Sequence, residues 1–200
     1  MNAHPEIWRL FVAIALPEVV KAQLTRAQRE LQENLTHGCV RWTKPASFHL
    51  TLKFLGNVAV DRMEELAESL RAGCAGFPKL QLRAEQIGFF PGARRPRVVW
   101  AGVKDRTEML PKLQRAVEDS VAGFTHKKAE PGFIGHVTLG RCSMINSAQV
   151  EPLSTLAARW SRDRNFGDWT ANELELIRSE LKPMGSRYTT LSVIPLGSES

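Results

Sequence analysis

The segment "FHLTLKFLG", Phe48 to Gly56, returns in shortened form as "GHVTLGRC", Gly135 to Cys142. Alternate residues of a strand point to opposite faces. In the first copy His49, Thr51 and Lys53 therefore share one face, and Phe48, Leu50, Leu52 and Phe54 the other. In the second copy His136 and Thr138 are opposed by Val137 and Leu139. The apolar face needs a core beneath helices, whereas the polar face must meet water, a neighbouring strand or a ligand. A half-buried, hydrogen-bonded histidine explains either copy alone. Two copies with matching threonines call for a fold in which two such strands confront one another.

The surrounding elements repeat as well. "RLFVAIAL", Arg9 to Leu16, is apolar nearly throughout, as expected of a strand covered on both faces. Pro17 suits a first helical position, and Val20, Leu24, Ala27, Leu31 and Leu35 make one helical stripe. "CVRW" reads as a short strand, "TKPAS" as a turn, and Phe48 to Leu55 as a further strand. Asp61 and Glu64 have the spacing of a capping pair for a helix through Met63, Leu66 and Leu70. Strands over Leu80 to Phe89 and Arg97 to Val103 flank the loop "FPGARRPR". Then comes a second round: a helix through Leu110, Leu113, Val117 and Val121, the strand "GHVTLGR", and a helix through Val150, Leu153, Ala157 and Trp160. "NELELIRSEL" and "RYTTLSVIPL" close the chain as a hairpin about "KPMGS". Strand, helix, His-x-Thr strand, helix, strand thus occurs twice, the signature of an internal duplication. No linker separates the halves, so residues 1–200 are expected to form a single domain of two interleaved lobes around a shared cleft.

Composition narrows the class. No apolar run approaches the ~20 residues of a membrane span, and the first residues lack the basic, apolar and small-residue regions of a signal peptide, so the expected compartment is the cytoplasm. Cys39, Cys74 and Cys142 are scattered and odd in number, with no disulfide or metal-ligand spacing. The formal charge of +6 favours anionic partners, nucleic acid among them.

Imidazole ionises at about 6.5, so near neutral pH one histidine can be charged while another is neutral. In-line displacement at phosphorus needs that division: one group takes a proton from attacking water, the other donates to the departing oxygen. A threonine hydroxyl two residues from each histidine can donate to a phosphate oxygen between them. No third or fourth ligand accompanies the histidines, and no acidic cluster stands ready for a divalent ion, so neither a metal nor a cofactor is expected. His4, His37 and His126 lack such companions and read as surface residues. Phe89 and Phe90 beside Arg94, Arg95 and Arg97 interleave aromatic and basic groups, a pattern suited to a single-stranded RNA end.

These residues resemble those of the two-histidine phosphoesterases and, more narrowly, of the bacterial and archaeal RNA 2′,3′-cyclic phosphodiesterases, also called 2′-5′ RNA ligases. The resemblance runs through "RLFVAIALP", "WTKPASFHLTLKFLGNV", "GFFPGARRPRVVWAGV", "GHVTLGR" and "LELIRSELKPMGSRYTTLSVIPL". It implies a bilobal, pseudo-two-fold α+β fold, with two antiparallel sheets around a central cleft and helices outside. It further implies hydrolysis of RNA 2′,3′-cyclic phosphate ends, or of nucleotides bearing that group, to 2′-phosphates; separately, the chain is expected to act as a monomer. By position, His49 is the proton donor and His136 the proton acceptor, although the symmetry of the motifs permits the reverse. Thr51, Thr138 and Arg141 bind phosphate, Arg141 only if twist or the strand end carries it to the cleft. Phe11, Phe90, Arg94 and Arg95 are candidates for nucleotide contact. Where the family carries proline before the second histidine this chain has Gly135, a change expected to loosen the strand entrance. The same cleft admits other readings: reversible 2′-5′ ligation, hydrolysis of another cyclic nucleotide, or a non-catalytic RNA-end-binding module.

Overall fold

The computed structural model describes residues 6–33, 38–93, 95–128, 132–142, 155, 164–183 and 185–197. Among them lie nine strands and three α-helices: β1 (Ile7–Ala15), α1 (Glu18–Glu33), β2 (Val40–Trp42), β3 (His49–Ala59), α2 (Met63–Cys74), β4 (Leu80–Phe90), β5 (Val98–Asp105), α3 (Leu110–Val121), β6 (His136–Cys142), β7 (Asn165–Ala171), β8 (Glu173–Lys182) and β9 (Gly185–Pro195). The helix expected through Val150 to Trp160 falls largely outside the described residues.

The strands form one antiparallel path, β7-β4-β5-β6-β3-β1-β8-β9, with β2 pairing β6 off that path. The two separate sheets implied by the resemblance are not formed: β3 and β6 pair at Leu50 and Val137 and join β6-β5-β4-β7 and β3-β1-β8-β9 into one continuous sheet. These two halves are related by pseudo-symmetry, with β3 corresponding to β6 and β1 to β5. β4 joins β5, and β8, which carries β9 with it, joins β1.

The helices cover the side of the sheet away from the cleft. α1 buries Val20, Leu24, Ala27 and Leu31; α2 buries Leu66, Leu70 and Cys74; α3 buries Leu110, Leu113, Val117 and Val121. Each valine or leucine so buried stabilises by about 1.5–3 kcal/mol relative to exposure. β1 is buried on both faces from Leu10 to Ile14, as its unbroken apolar run requires. Its cleft side carries a separate small cluster of Phe11, Ala13 and Ile177.

Two local expectations are corrected. Residues 60–62 form a 3₁₀ turn before α2, so Asp61 lies inside that turn and the Asp61–Glu64 cap does not form. Arg62 takes the N-cap position without a side-chain cap and pairs with Glu65 at 3.0 Å instead. β7 was not legible as a strand, because its buried residues Phe166, Trp169 and Ala171 break the two-residue period. Gly167, at φ 127°, lies at the irregularity.

Candidate active site

β3 and β6 meet at one pair of Cα partners, Leu50 and Val137. Both are fully buried. These are the middle residues of the two His-x-Thr motifs, so the flanking polar residues of both turn to the opposite, cleft side. Continuing the antiparallel register by one residue each way sets His49 across from Thr138 and Thr51 across from His136. The two histidines then occupy one diagonal of a four-residue patch and the two threonines the other. In a regular ladder such diagonal neighbours lie about 7–8 Å apart.

Immediately after each motif the strand bulges at the same place. On β3, Val12 pairs with Lys53 and Ala13 with Thr51, leaving Leu52 as the extra residue. On β6, Val99 pairs with Gly140 and Trp100 with Thr138, leaving Leu139. An extra residue reverses the parity of the residues after it; on β3 a second bulge at Leu55 restores it. Lys53 therefore leaves the His49 face, contrary to the alternation read from sequence. It is buried, with its ammonium 2.9 Å from Glu118 Oε1 of α3 and donating at 3.0 Å to the Lys128 carbonyl. Phe54, expected in the core, is 39 % exposed on the cleft. The bulge at Leu139 likewise brings Arg141 round to the cleft.

Each histidine is held by the backbone two residues before it. His136 Nδ1–H donates to the Ile134 carbonyl at 2.7 Å, a geometry that fixes the proton on Nδ1 and leaves Nε2 for substrate. His49 is hydrogen-bonded to the backbone of Ser47 in the corresponding way. Aromatic rings flank both: Phe11 lies 4.8 Å and Tyr188 5.3 Å from the His49 ring, the latter edge-on. Phe90 lies edge-on to His136 at 5.0 Å, with Trp100 at 6.3 Å. Trp100 is accommodated because Gly88 on the neighbouring strand has no side chain, and a Cβ there would overlap the indole. Burial pushes the His49 pKa down from 6.5 to about 4; the Ser47 hydrogen bond opposes this, and the charge on His136 adds to it. In the free protein His49 is a neutral imidazole at pH 7. A proton-donor role requires the negative charge of a bound phosphate to restore its proton.

A cavity of about 510 Å³ opens over this patch, lined by His49, Thr51, Thr138 and Arg141 from the two motifs. His136, two residues before Thr138, is not among the lining residues. Arg9, Arg41 and Lys127 add cations, and no aspartate or glutamate is among the lining residues. Among the described residues, no group of three His, Cys, Asp or Glu side chains is placed to share a metal ion.

Of the residues singled out for nucleotide contact, Phe11 lines the cavity but is 2 % exposed, so it backs His49 from below. Phe90 lies beside His136. Arg95 is exposed and outside the cavity lining, and Arg94 lies outside the described residues. Tyr188, Phe54, Arg41, Lys127 and Arg9 were not anticipated. The signal for Tyr188 was available: it is the only tyrosine in the chain and sits in the hairpin strand "RYTT". Gly135 does not loosen the entrance to β6. Its carbonyl accepts from Val103 N at 2.8 Å, and a Cβ would fall 2.7 Å from the Val103 carbonyl oxygen. The glycine permits close apposition of the chain to β5.

Residues 14–100 match the family described as LigT like Phosphoesterase. The RNA 2′,3′-cyclic phosphodiesterase of Archaeoglobus fulgidus is 30 % identical over 187 residues, covering 92 % of this chain and 98 % of the relative. That of Thermus thermophilus is 32 % identical over 202 residues, covering 96 % and 91 %. The chain belongs to the LigT-like phosphoesterase family. Solved structures agree with that membership. A Thermus thermophilus protein superposes with a TM-score of 0.75 at 28 % identity, covering 96 % of this chain and all of the other. Escherichia coli LigT complexed with 3′-AMP superposes at 0.73 and 25 % identity with the same coverage. The family match ends before the second motif, whereas the relatives span both, so the LigT-like assignment extends through His136 and the closing hairpin.

Proposed function

We propose that this LigT-like chain hydrolyses 2′,3′-cyclic phosphate at RNA 3′ ends, leaving a 2′-phosphate. The observation that carries the reading is the patch around Leu50 and Val137, where two histidines and two threonines alternate on one cleft face. The relatives named RNA 2′,3′-cyclic phosphodiesterase support the substrate class. Thr51 and Thr138 donate to the non-bridging phosphate oxygens, and Arg141 adds charge from the rim. His136 takes a proton from water as its oxygen attacks phosphorus, while His49 delivers its proton to O3′ as the P–O3′ bond breaks. The proton lost from one histidine is balanced by the proton gained by the other, so the site returns to its starting state after exchange with solvent. The bound anion recharges His49, whose pKa of about 4 in the free protein reflects desolvation above all.

The basic balance of the chain favours an anionic partner such as RNA. Among the described residues no helix is long and apolar enough to cross a membrane. The same reading has the protein act in the cytoplasm as a monomer. The deciding assay incubates the protein, in chelator, with an RNA ending in a 2′,3′-cyclic phosphate and identifies the product. A 2′-phosphate end is expected. A ligated 2′-5′ product, a 3′-phosphate, or binding without turnover would each replace this reading with a different one.

A further inference from the structure

With Thr51, Thr138 and Arg141 given to the phosphate at the histidine patch, two cations of the same cavity, Arg9 and Lys127, are left with no anion to meet. Neither has a carboxylate partner among the described residues. Lys127 is nonetheless held in place. Thr125, two residues before it, donates through its hydroxyl to the Leu55 carbonyl at 2.6 Å and accepts from Lys127 N at 3.0 Å. On its other side the Lys128 carbonyl accepts from the buried Lys53 ammonium at 3.0 Å. The lysine stem runs over Gly56, where a Cβ would fall 3.2 Å from Lys127 Cε. Gly56 has φ 79°, so glycine suits both the backbone there and the side chain passing above it. The ammonium stands 5.9 Å from the centre of the Phe54 ring. A long side chain anchored in this way has given up much of its rotamer freedom before any ligand arrives, which lowers the cost of binding one.

Phe54 is the counterpart of Arg141 in the duplicated frame. Each lies two residues past the bulged residue of its strand, Leu52 on β3 and Leu139 on β6. Both turn to the cleft. One repeat sets a guanidinium at that place and the other an aromatic ring, so the groove offers charge on one side of the patch and a flat apolar surface on the other. Phe11 lies between, its ring 4.8 Å from His49 and 5.8 Å from Phe54. Phe54 thus stands one ring further along the groove than the histidine. Arg9, two residues before Phe11 on β1, lines the same stretch.

A ring flanked by two cations is the combination that takes one nucleotide of a single strand, the base by stacking and the phosphate by charge. A strand that ends in a cyclic phosphate has all its other phosphates on the 5′ side of the terminal nucleoside. We propose that Arg9, Lys127 and Phe54 form a second nucleotide subsite. The two cations bind the phosphodiester that joins the last two nucleotides, and Phe54 stacks the base of the penultimate one. The inference rests on the cyclic phosphate occupying the histidine patch, and it makes the protein selective for strands over mononucleotides.

The test compares kcat/KM for cytidine 2′,3′-cyclic phosphate, the same compound bearing a 5′-phosphate, and a dinucleotide with the cyclic end. The dinucleotide is expected to exceed the unphosphorylated mononucleotide on the order of 10- to 100-fold, with the 5′-phosphorylated compound between them. In Lys127→Gln the step from the first compound to the second should shrink towards one. In Phe54→Leu the step from the second to the third should shrink instead. Such selective loss of a ratio is not produced by a general loss of structure. Equal kcat/KM for all three substrates overturns the proposal, and so does a dinucleotide no better than the 5′-phosphorylated mononucleotide. Variants that slow all three by one common factor, or that leave both ratios unchanged, overturn it as well. Calorimetry of adenosine 2′-phosphate against a diadenosine dinucleotide ending in a 2′-phosphate separates the subsite from the reaction. Tighter binding of the dinucleotide with no turnover of any cyclic phosphate would leave the subsite standing and remove the proposed reaction, whereas equal affinity would remove the subsite.

Discussion

Leu50 and Val137, the centres of the two His-x-Thr motifs, are Cα partners across the junction of the two half-sheets. Their burial fixes which way the neighbours point: with both side chains in the core, His49, Thr51, His136 and Thr138 have only the cleft to face. If these four act on one phosphate, the histidines function as a unit. His49→Ala and His136→Ala should each lower kcat on a cyclic phosphate about 10²- to 10⁴-fold, the range of a single acid or base. The double variant should lose little more than the worse single one, because a base without an acid has little left to contribute. Steady-state rates at saturating substrate check this, and near-native turnover in either single variant would sink the pair.

His49 should also leave a mark on stability. Its folded pKa is about 4 against an ordinary 6.5, with burial the largest cause. As pH falls through 6.5 the unfolded chain takes up a proton that the folded chain refuses until about 4. The unfolded state thus binds more protons in this window, so stability is fully present above pH 6.5, declines with acidification, and is lost to the extent of roughly 3 kcal/mol below pH 4. Denaturant melts from pH 7 to 4 should show that decline in the native protein and a shallower one in His49→Ala. NMR titration of the His49 ring gives the companion result: inorganic phosphate should raise its pKa, and an unchanged value would argue against anion binding beside it.

Much of this was visible in the residues. The duplication, the outer helices, the closing hairpin and the histidine pair can be read from apolar period and repeated motif. What the alternation could not show is the pair of bulges at Leu52 and Leu139, because a bulge exists only relative to a partner strand. Those single extra residues decide that Lys53 turns inward, and that Phe54 and Arg141 turn to the cleft. Tyr188 is a similar case. The hairpin is local, but the placement of its tyrosine against His49 and Phe11 depends on β8 joining β1, far away in sequence.

The inward turn of Lys53 has an energetic consequence. Its ammonium and the Glu118 carboxylate, 6 % and 7 % exposed, sit 2.9 Å apart beneath the sheet. Removing one member of such a pair costs about 3–5 kcal/mol, because it strips the other of its buried counter-charge. Lys53→Met should show a loss of that size in urea unfolding, and Lys53→Met with Glu118→Leu should recover most of it. The same ammonium holds the Lys128 carbonyl, next to Lys127 of the cavity wall, so the single variant should also weaken binding of an anionic nucleotide. A Lys53→Met protein within about 1 kcal/mol of the parent would show the pair to be dispensable.

Tyr188 offers the clearest separation between ring and hydroxyl. It is 37 % exposed, edge-on to both His49 and Phe11, and lines both chambers of the groove. Phe11 also contacts His49 but is nearly sealed, so the exposed rings of the cleft are Tyr188 and Phe54, and Tyr188 is the one in contact with His49. Stacking of one base on an aromatic side chain is worth about 1–3 kcal/mol, or roughly 5- to 150-fold in affinity. Tyr188→Phe keeps the ring and its edge contact with His49, so KM for an RNA end should stay close to native. Tyr188→Ala removes the platform and should raise KM within that range, with a smaller fall in kcat from the added freedom of the His49 ring. Equal behaviour of the two variants would place the contribution in the hydroxyl, and the base would then need another platform, for which Phe54 on the same cleft is the next ring in line.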